Sequence, residues 1–367
     1  MSAPRLRLSL ALSFVLTIGL AGGLLTANPG HASAATYPTI GVSRVVATDL
    51  TTPWGLAFLP DGSALVSERD TGRIKRIDPR GRSGSNVTTV GRIRGVSPEG
   101  EGGLLGIAVA TPKGASTPVL FAYVTSRTDN RVVRMPLLDN GRRLGPQTAI
   151  LTGIPKATFH NGGRLLVGAD QTLFVATGDA GDPDLSQDAS SLAGKVLRVD
   201  FNGKPVAGNP RPNSPVFTEG HRNVQGLAAD SSGRVWASEF GERDADELNL
   251  LVAGANYGWP LVEGRGNDAQ FKNPATVWSP TSTASPSGIA IKDDVVYVAS
   301  LRGERLWQVP ITGSRTAKAK SWDLGNRGRL RTIEVAPDGS VWVITSNTDG
   351  RGDPRAVDDK IIRLVVS

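Results

Sequence analysis

Side chains able to take a proton near neutrality are scarce in this chain. Its 367 residues contain three histidines, His31, His160 and His221, and no cysteine. The missing thiol excludes disulfides, thiolate nucleophiles, iron–sulfur clusters and Cys-based zinc sites, and so few histidines exclude a His-rich zinc centre. His31 falls in the N-terminal stretch read below as a leader, so a catalytic imidazole is His160 or His221. His160 heads His160-Asn161-Gly162-Gly163-Arg164, just before an apolar run, and Asp179 closes the next run in Thr177-Gly178-Asp179. If those runs are antiparallel strands joined by the turn around Ala169-Asp170-Gln171, their loop ends meet. A carboxylate beside an imidazole fixes its tautomer and stabilises its cation, as a general base requires, and the ring's ordinary pKa of about 6.5 keeps it neutral near working pH. From spacing alone the plainer reading is preferred, with His160 packed under Phe159 and Asp179 making a turn.

The cations suggest an anionic ligand. Arg222 stands in Glu219-Gly220-His221-Arg222-Asn223 before another apolar run, and Arg302 occupies the equivalent loop of a later repeat. Arg329 and Arg331 flank the start of the last inner strand with alternate side chains on one face. A guanidinium grips a carboxylate in two-pronged fashion, and four at neighbouring loop ends converge on one polyanion. Taken singly, each fits a solvated surface pair equally well. The densest acidic loop, Glu239-Phe240-Gly241-Glu242-Arg243-Asp244-Ala245-Asp246-Glu247, precedes Asn256-Tyr257-Gly258-Trp259-Pro260. Its oxygens suit Ca²⁺, which accepts about six to eight ligands in loose geometry, although EF-hand spacing is absent. Asp182, Asp184 and Asp188 read as a solvated loop. Arg351-Gly352-Asp353 spells an adhesion tripeptide short enough to arise by chance and is set aside.

Positioning these residues falls to a repeated pattern. A short apolar strand, a turn, a second strand ending in Ser or Thr, a polar stretch and a third strand recur from Gly55, Gly106, Arg164, Gly226, Gly288 and Thr332. Asp-Gly turns between strands are hairpin signals, and a repeat of about 45–60 residues is blade spacing. The prediction is an all-β, six-bladed β-propeller over residues 35–367, with Val45-Val46-Ala47 completing the last blade. Residues 1–34 read as a signal peptide: Arg5 and Arg7, an apolar run from Leu8 to Leu25, and the small residues Ala32-Ser33-Ala34 at a cleavage position. An uncleaved anchor is the alternative, because the run approaches spanning length. The reading adopted is a secreted protein with no membrane span in the mature chain. Lys plus Arg exceeds Asp plus Glu by only 7, which argues against nucleic acid and is compatible with an acidic small molecule.

Taken together, Gly102-Gly103-Leu104-Leu105-Gly106, the His160 loop with Gly178-Asp179, Gly220-His221-Arg222-Asn223 with Gln225-Gly226-Leu227, Asp246-Glu247-Leu248-Asn249-Leu250 with Asn256-Tyr257-Gly258-Trp259-Pro260, and Arg329/Arg331 before Pro337-Asp338-Gly339 resemble the soluble PQQ-dependent sugar dehydrogenase family, the soluble glucose dehydrogenase type of propeller. The resemblance covers nearly the whole mature chain. It implies that His160 is the general base for an anomeric hydroxyl, oriented by Asp179, with hydride passing to the quinone. It implies further that Arg222 and Asn223 contact the quinone, that Arg329 and Arg331 bind its carboxylates, and that Arg302 replaces a cofactor-site lysine. Main-chain oxygens of Gly241 and Glu242 would hold Ca²⁺; Asp246, Glu247 and Tyr257 fall in an additional calcium region; Trp278 resembles the aromatic that stacks on sugar.

Departures from the family pattern concentrate around the sugar. Glu101 stands where the glucose enzyme has Gln near cofactor and sugar, Phe159 replaces an Asp before the base, and Ala275 stands roughly where an aromatic would help. The implied partners are a sugar substrate and an electron acceptor that the residues do not identify. Two other readings stay open: a non-catalytic propeller binding carbohydrate or protein, and a propeller lactonase using Ca²⁺ to polarise an ester. Retention of His160, Asp179, Arg222, Arg329 and Arg331 together favours the dehydrogenase.

Overall fold

The computed structural model describes Met1 and residues 35–367; the leader expected over residues 1–34, Met1 apart, lies outside the described residues. Residues 35–367 form six antiparallel sheets, each with four strands in the main path and two with an additional short strand. This is the six-bladed propeller. The inner strands, in blade order, are Pro53–Phe58, Leu104–Ala110, Leu165–Val167, Val224–Ala229, Pro286–Lys292 and Leu330–Val335. Among the described residues the only helices are short 3₁₀ turns at Pro183–Ser186 and Thr281–Thr283.

Inner strands crowd at the axis, which is why their sequences carry glycine. A Cβ on Gly106 would lie 2.2 Å from the carbonyl oxygen of Gly163 in the next blade, and one on Gly226 would lie 2.4 Å from that of Ser287. The Ser or Thr ending the second strand has a related task. Ser67 accepts from the amide of Gly55 at 2.8 Å and donates to the carbonyl of Leu105 at 2.6 Å, fastening one blade to the next. Between blades the contact is apolar. Phe58 meets Trp342 edge-on with ring centroids 5.0 Å apart, and Phe121 meets Phe201 at 5.0 Å.

Ring closure joins the two ends of this domain. Ile40–Ala47 pairs antiparallel with Ile361–Val366 and becomes the outer strand of the sixth blade, as the sequence reading expects of Val45-Val46-Ala47. Val46 and Ala47 are buried with Trp342, Ile344 and Ile361 of the sixth blade and Leu56, Val66 and Ile77 of the first.

A chain beginning at residue 48 would leave Ile361–Val366 as an exposed edge, a template for aggregation. Loss of Val46 and Ile40 from the packed surface costs on the order of 3 kcal/mol or more. The expected result is a lower calorimetric midpoint with concentration-dependent light scattering; an unchanged midpoint would show that the closing strand is dispensable.

Candidate active site

Loops between blades converge on a cavity of about 470 Å³ at one mouth of the channel. His160 lines it from the loop preceding Leu165–Val167, with its backbone at φ 56°, a conformation that non-glycine residues adopt mainly under local constraint. The constraint is visible. The amide of His160 donates to Oε2 of Glu101 at 3.0 Å, and Nδ1 lies 2.7 Å from Oδ1 of Asp179. A carboxylate at Nδ1 assigns the neutral ring's proton to that nitrogen and leaves the Nε2 lone pair free to accept. The structure thus rejects the plainer packing reading of His160: Phe159 does stand against the imidazole, yet the ring remains open to the cavity.

Asp179 is held from several sides. Its Oδ1 also accepts from the amide of Gly181 at 2.8 Å, and Oδ2 accepts from the indole N–H of Trp259 at 3.0 Å. The guanidinium of Arg222 lies over that same Trp259 ring, 5.3 Å from its centroid. One chain of contacts therefore runs from Arg222 through Trp259 and Asp179 to His160. His221, the other candidate imidazole, is fully buried: Nδ1 lies 2.7 Å from Glu239, Nε2 lies 2.8 Å from Thr218, and the ring stacks on Tyr257. It has no face toward the cavity.

The cavity lining contains six arginines, Arg69, Arg222, Arg302, Arg329, Arg331 and Arg351, against the carboxylates of Glu101, Glu242, Asp246 and Asp349. Arg329 and Arg331 both donate to Oδ2 of Asp349, at 3.2 and 3.1 Å, and Ser346 adds a bond at 3.0 Å. Burial alone would raise the Asp349 carboxyl, but Arg331 and Arg329 outweigh it and hold it below the usual range. Burial lowers Arg331 to about 10. Arg351, read from sequence only as part of a chance tripeptide, bridges to Glu101 at 2.8 Å on the cavity rim. Arg302 is exposed and has no side-chain partner among the described residues. Two donors are buried and unpaired: Nε of Arg222 and Nδ2 of Asn223. Asn223 itself sits behind the lining, where its Oδ1 accepts from the amide of Gly162 at 3.0 Å.

The expected metal loop has an anchor that the sequence reading missed. Oε1 of Glu263 accepts the consecutive amides of Glu242, Arg243, Asp244 and Ala245 at 2.6 to 3.1 Å. In a trans peptide the carbonyl points opposite to its amide N–H. The Gly241 and Glu242 carbonyls are consequently turned away from Glu263, and both residues line the cavity. Glu263 lies far along the chain in a Gly-rich loop, so spacing carries no signal for it.

Two expectations need correction. Asp246 and Glu247 do not fall in one region, because consecutive strand residues face opposite sides. Asp246 lines the central cavity, capped by the amides of Gly241 at 3.0 Å and Ser285 at 2.7 Å, and burial pushes it up to about 7. Glu247 faces a separate cavity of about 10 Å³ with Glu239, Tyr257 and Glu263. Burial, then the charge of Glu239, pushes it up to about 8, and no metal-binding group of three or more His, Asp or Glu side chains occurs among the described residues. Tyr257 lines that same small cavity, its hydroxyl donating to the carbonyl of Leu250 at 2.6 Å. Trp278 does not reach the mouth: it is 4 % exposed, packs on Trp307 with centroids 5.9 Å apart, and belongs to the outermost strand of its blade.

Residues 50–363 match the family described as Glucose / Sorbosone dehydrogenase. The structure of a PQQ-bound aldose sugar dehydrogenase from Streptomyces coelicolor is similar with a TM-score of 0.86 and 49% identity, covering 91% of this chain and 100% of that one. Quinoprotein glucose dehydrogenase B of Acinetobacter calcoaceticus is 32% identical over 62% of this chain and 54% of its own length. Aldose sugar dehydrogenase YliI of Escherichia coli strain K12 is 25% identical over 84% of this chain and 90% of its own.

Asp349→Asn removes the shared counter-charge of Arg329 and Arg331, and breaking such a buried arrangement costs toward the lower end of about 3–5 kcal/mol. Because the folded carboxyl is depressed, the wild-type advantage is complete above the ordinary carboxyl pKa and is lost as pH falls through the lower folded value. Denaturant melts of apo protein should show a gap near neutrality that closes as pH falls below the ordinary carboxylate range. A gap independent of pH would remove the charge argument.

Proposed function

The chain belongs to the glucose/sorbosone dehydrogenase family, and we propose that it is a secreted dehydrogenase, dependent on PQQ and Ca²⁺, that oxidises the anomeric hydroxyl of an aldose or a related sugar alcohol group. The observation that carries this reading is His160, with Nδ1 bound to Asp179 at 2.7 Å and its ring lining a cavity rich in arginine. Export is supported by the leader pattern of Arg5, Arg7 and Ala32-Ser33-Ala34.

The residues present fit the cofactor. PQQ is a quinone polycarboxylate, and the donor set is matched to it: exposed Arg302, Arg329 at the wall, and the unpaired buried Nε of Arg222. Glu101 is bound to His160 and Arg351, so its charge is already neutralised beside that anion. The turned-out carbonyls of Gly241 and Glu242 are hard oxygen donors suited to Ca²⁺. When bound, PQQ supplies the two-electron acceptor for a hydride from the sugar carbon, and Ca²⁺ supplies a Lewis acid to polarise it.

The chain's own groups do the proton work. Nε2 of His160 takes the hydroxyl proton; Asp179 stabilises the resulting imidazolium and keeps the ring aligned. Trp259 holds Asp179 from its other oxygen, so the acid cannot rotate away from the base. Arg222, stacked on that indole, presents positive charge where negative charge develops.

Reconstitution of apo protein with PQQ and Ca²⁺, followed by dye reduction over an aldose panel, tests the reading; no turnover with any aldose would overturn it. His160→Ala should still bind PQQ and Ca²⁺ while losing about 10²–10⁴-fold in turnover, and Asp179→Asn should lose less. Near-normal turnover in His160→Ala would place the base elsewhere.

Glu263→Ala tests the metal loop. With four amides released, the 241–245 loop loses its shape, and Ca²⁺ affinity in a calorimetric titration should fall by at least about tenfold, with Glu263→Gln intermediate. Unchanged Ca²⁺ binding in a folded Glu263→Ala protein would exclude this loop as the metal site.

A further inference from the structure

The aromatic expected to stack on the sugar, Trp278, is buried away from the mouth, yet an aromatic side chain does stand exposed beside the base. Phe159 is 42 % exposed, and its ring centroid lies 4.7 Å from that of the His160 imidazole, at 87° to it. Its seat is built. Gly181 leaves room for the ring, since a Cβ there would come 2.9 Å from Cε2 and Cζ of Phe159. His160 and the amide of Gly181 are both bound to the same oxygen of Asp179, so the carboxylate that orients the base also braces the residue under Phe159. The ring packs on the imidazole and on Gly181 and leaves the rest of its apolar surface to solvent. A sugar ring has an apolar face of C–H groups and a polar rim of hydroxyls, and aromatic faces complement such C–H surfaces.

We propose that Phe159 is the platform for the apolar face of a pyranose ring whose reacting hydroxyl lies at Nε2 of His160. Glu101, bound to the His160 amide at 3.0 Å and to Arg351 at 2.8 Å, supplies the polar partner for neighbouring hydroxyls. This inference rests on the dehydrogenase reading above. It specifies the substrate class as a ring-form aldose in preference to an open-chain polyol or a simple alcohol, neither of which offers a continuous apolar face. The carboxylate that the family places before the base is thereby exchanged for a stacking surface.

The test uses the chain reconstituted with PQQ and Ca²⁺. Wild type should turn over aldopyranoses with lower KM than the corresponding open-chain alditols. Phe159→Ala should raise KM for aldopyranoses by about tenfold, the upper range for one aromatic contact, with kcat within about twofold and an unchanged pH profile. Phe159→Trp should restore KM. PQQ affinity, read by fluorescence quenching, should be the same in all three proteins. Active wild type with KM indifferent to Phe159→Ala overturns the platform and leaves the dehydrogenase reading standing. Loss of PQQ affinity together with kcat assigns Phe159 to loop structure and also overturns it. A wild type that turns over no aldose overturns both.

Discussion

One buried guanidinium governs the axis of this propeller. Arg164 donates through Nε to the carbonyl of Gln225 at 2.8 Å and through Nη2 to Thr332 at 3.0 Å, and its cation lies 4.3 Å from the centroid of Trp54. Those partners belong to the fourth, sixth and first blades, while Arg164 itself opens the third. A Cβ on Gly288 of the fifth blade would meet Nη2 at 3.2 Å, and one on Gly106 of the second would meet the Arg164 Cα at 3.2 Å. Six inner strands can approach one another because small residues line them, and the space left at the axis is filled by this one side chain. Burial lowers Arg164 to about 10, which leaves it charged at neutral pH. Trp54 lies under two cations, since Arg331 stands 5.8 Å from the same ring. The floor of the cavity is therefore a cation–indole–cation layer whose position is set by all six blades.

That layer explains why the cavity walls look as they do. Arginines crowded at a channel mouth repel one another and lose hydration, so each needs a counter-charge or an outlet to solvent. Asp349 answers for Arg329 and Arg331, Glu101 for Arg351, and Asp70 for Arg69 at 2.6 Å. Arg302 relies on exposure, and Arg222 on the face of Trp259. The protein balances its own anion site only in part. What remains uncompensated is the set of donors that an anionic cofactor would engage.

Legibility from sequence followed the range of the interaction. Blade number and strand order were readable because the Ser or Thr closing each second strand is a local signal repeated six times, reinforced by Asp-Gly turns in the first and last blades. The pairing of His160 with Asp179 was readable once one hairpin was assumed. Glu263 and Asp349 were not, because their partners come from other loops and neither has a neighbour in sequence that betrays the contact. Trp278 illustrates the reverse error. It was placed by likeness to a family, and it points elsewhere, into the groove beside Trp307. Likeness carries the backbone position of a residue, while the direction of its side chain depends on packing that motif matching does not see.

The same distinction separates the floor of the site from its rim. Arg331 and Arg164 are tied into the axis layer: Arg331 bonds Gln225 at 3.3 Å, and the Gln225 carbonyl is bound by Arg164. Altering either of them disturbs a buried electrostatic balance shared among several blades. Phe159, Glu101 and Arg351 lie outside that layer: Phe159 touches His160 and Gly181, and Glu101 bonds the His160 amide and Arg351. A change there costs the fold little, because no buried charge loses its partner and no blade contact is opened. Substitutions that change what the cavity accepts therefore cost the fold least at the rim, whereas the cation-lined floor is bound to the architecture that positions it.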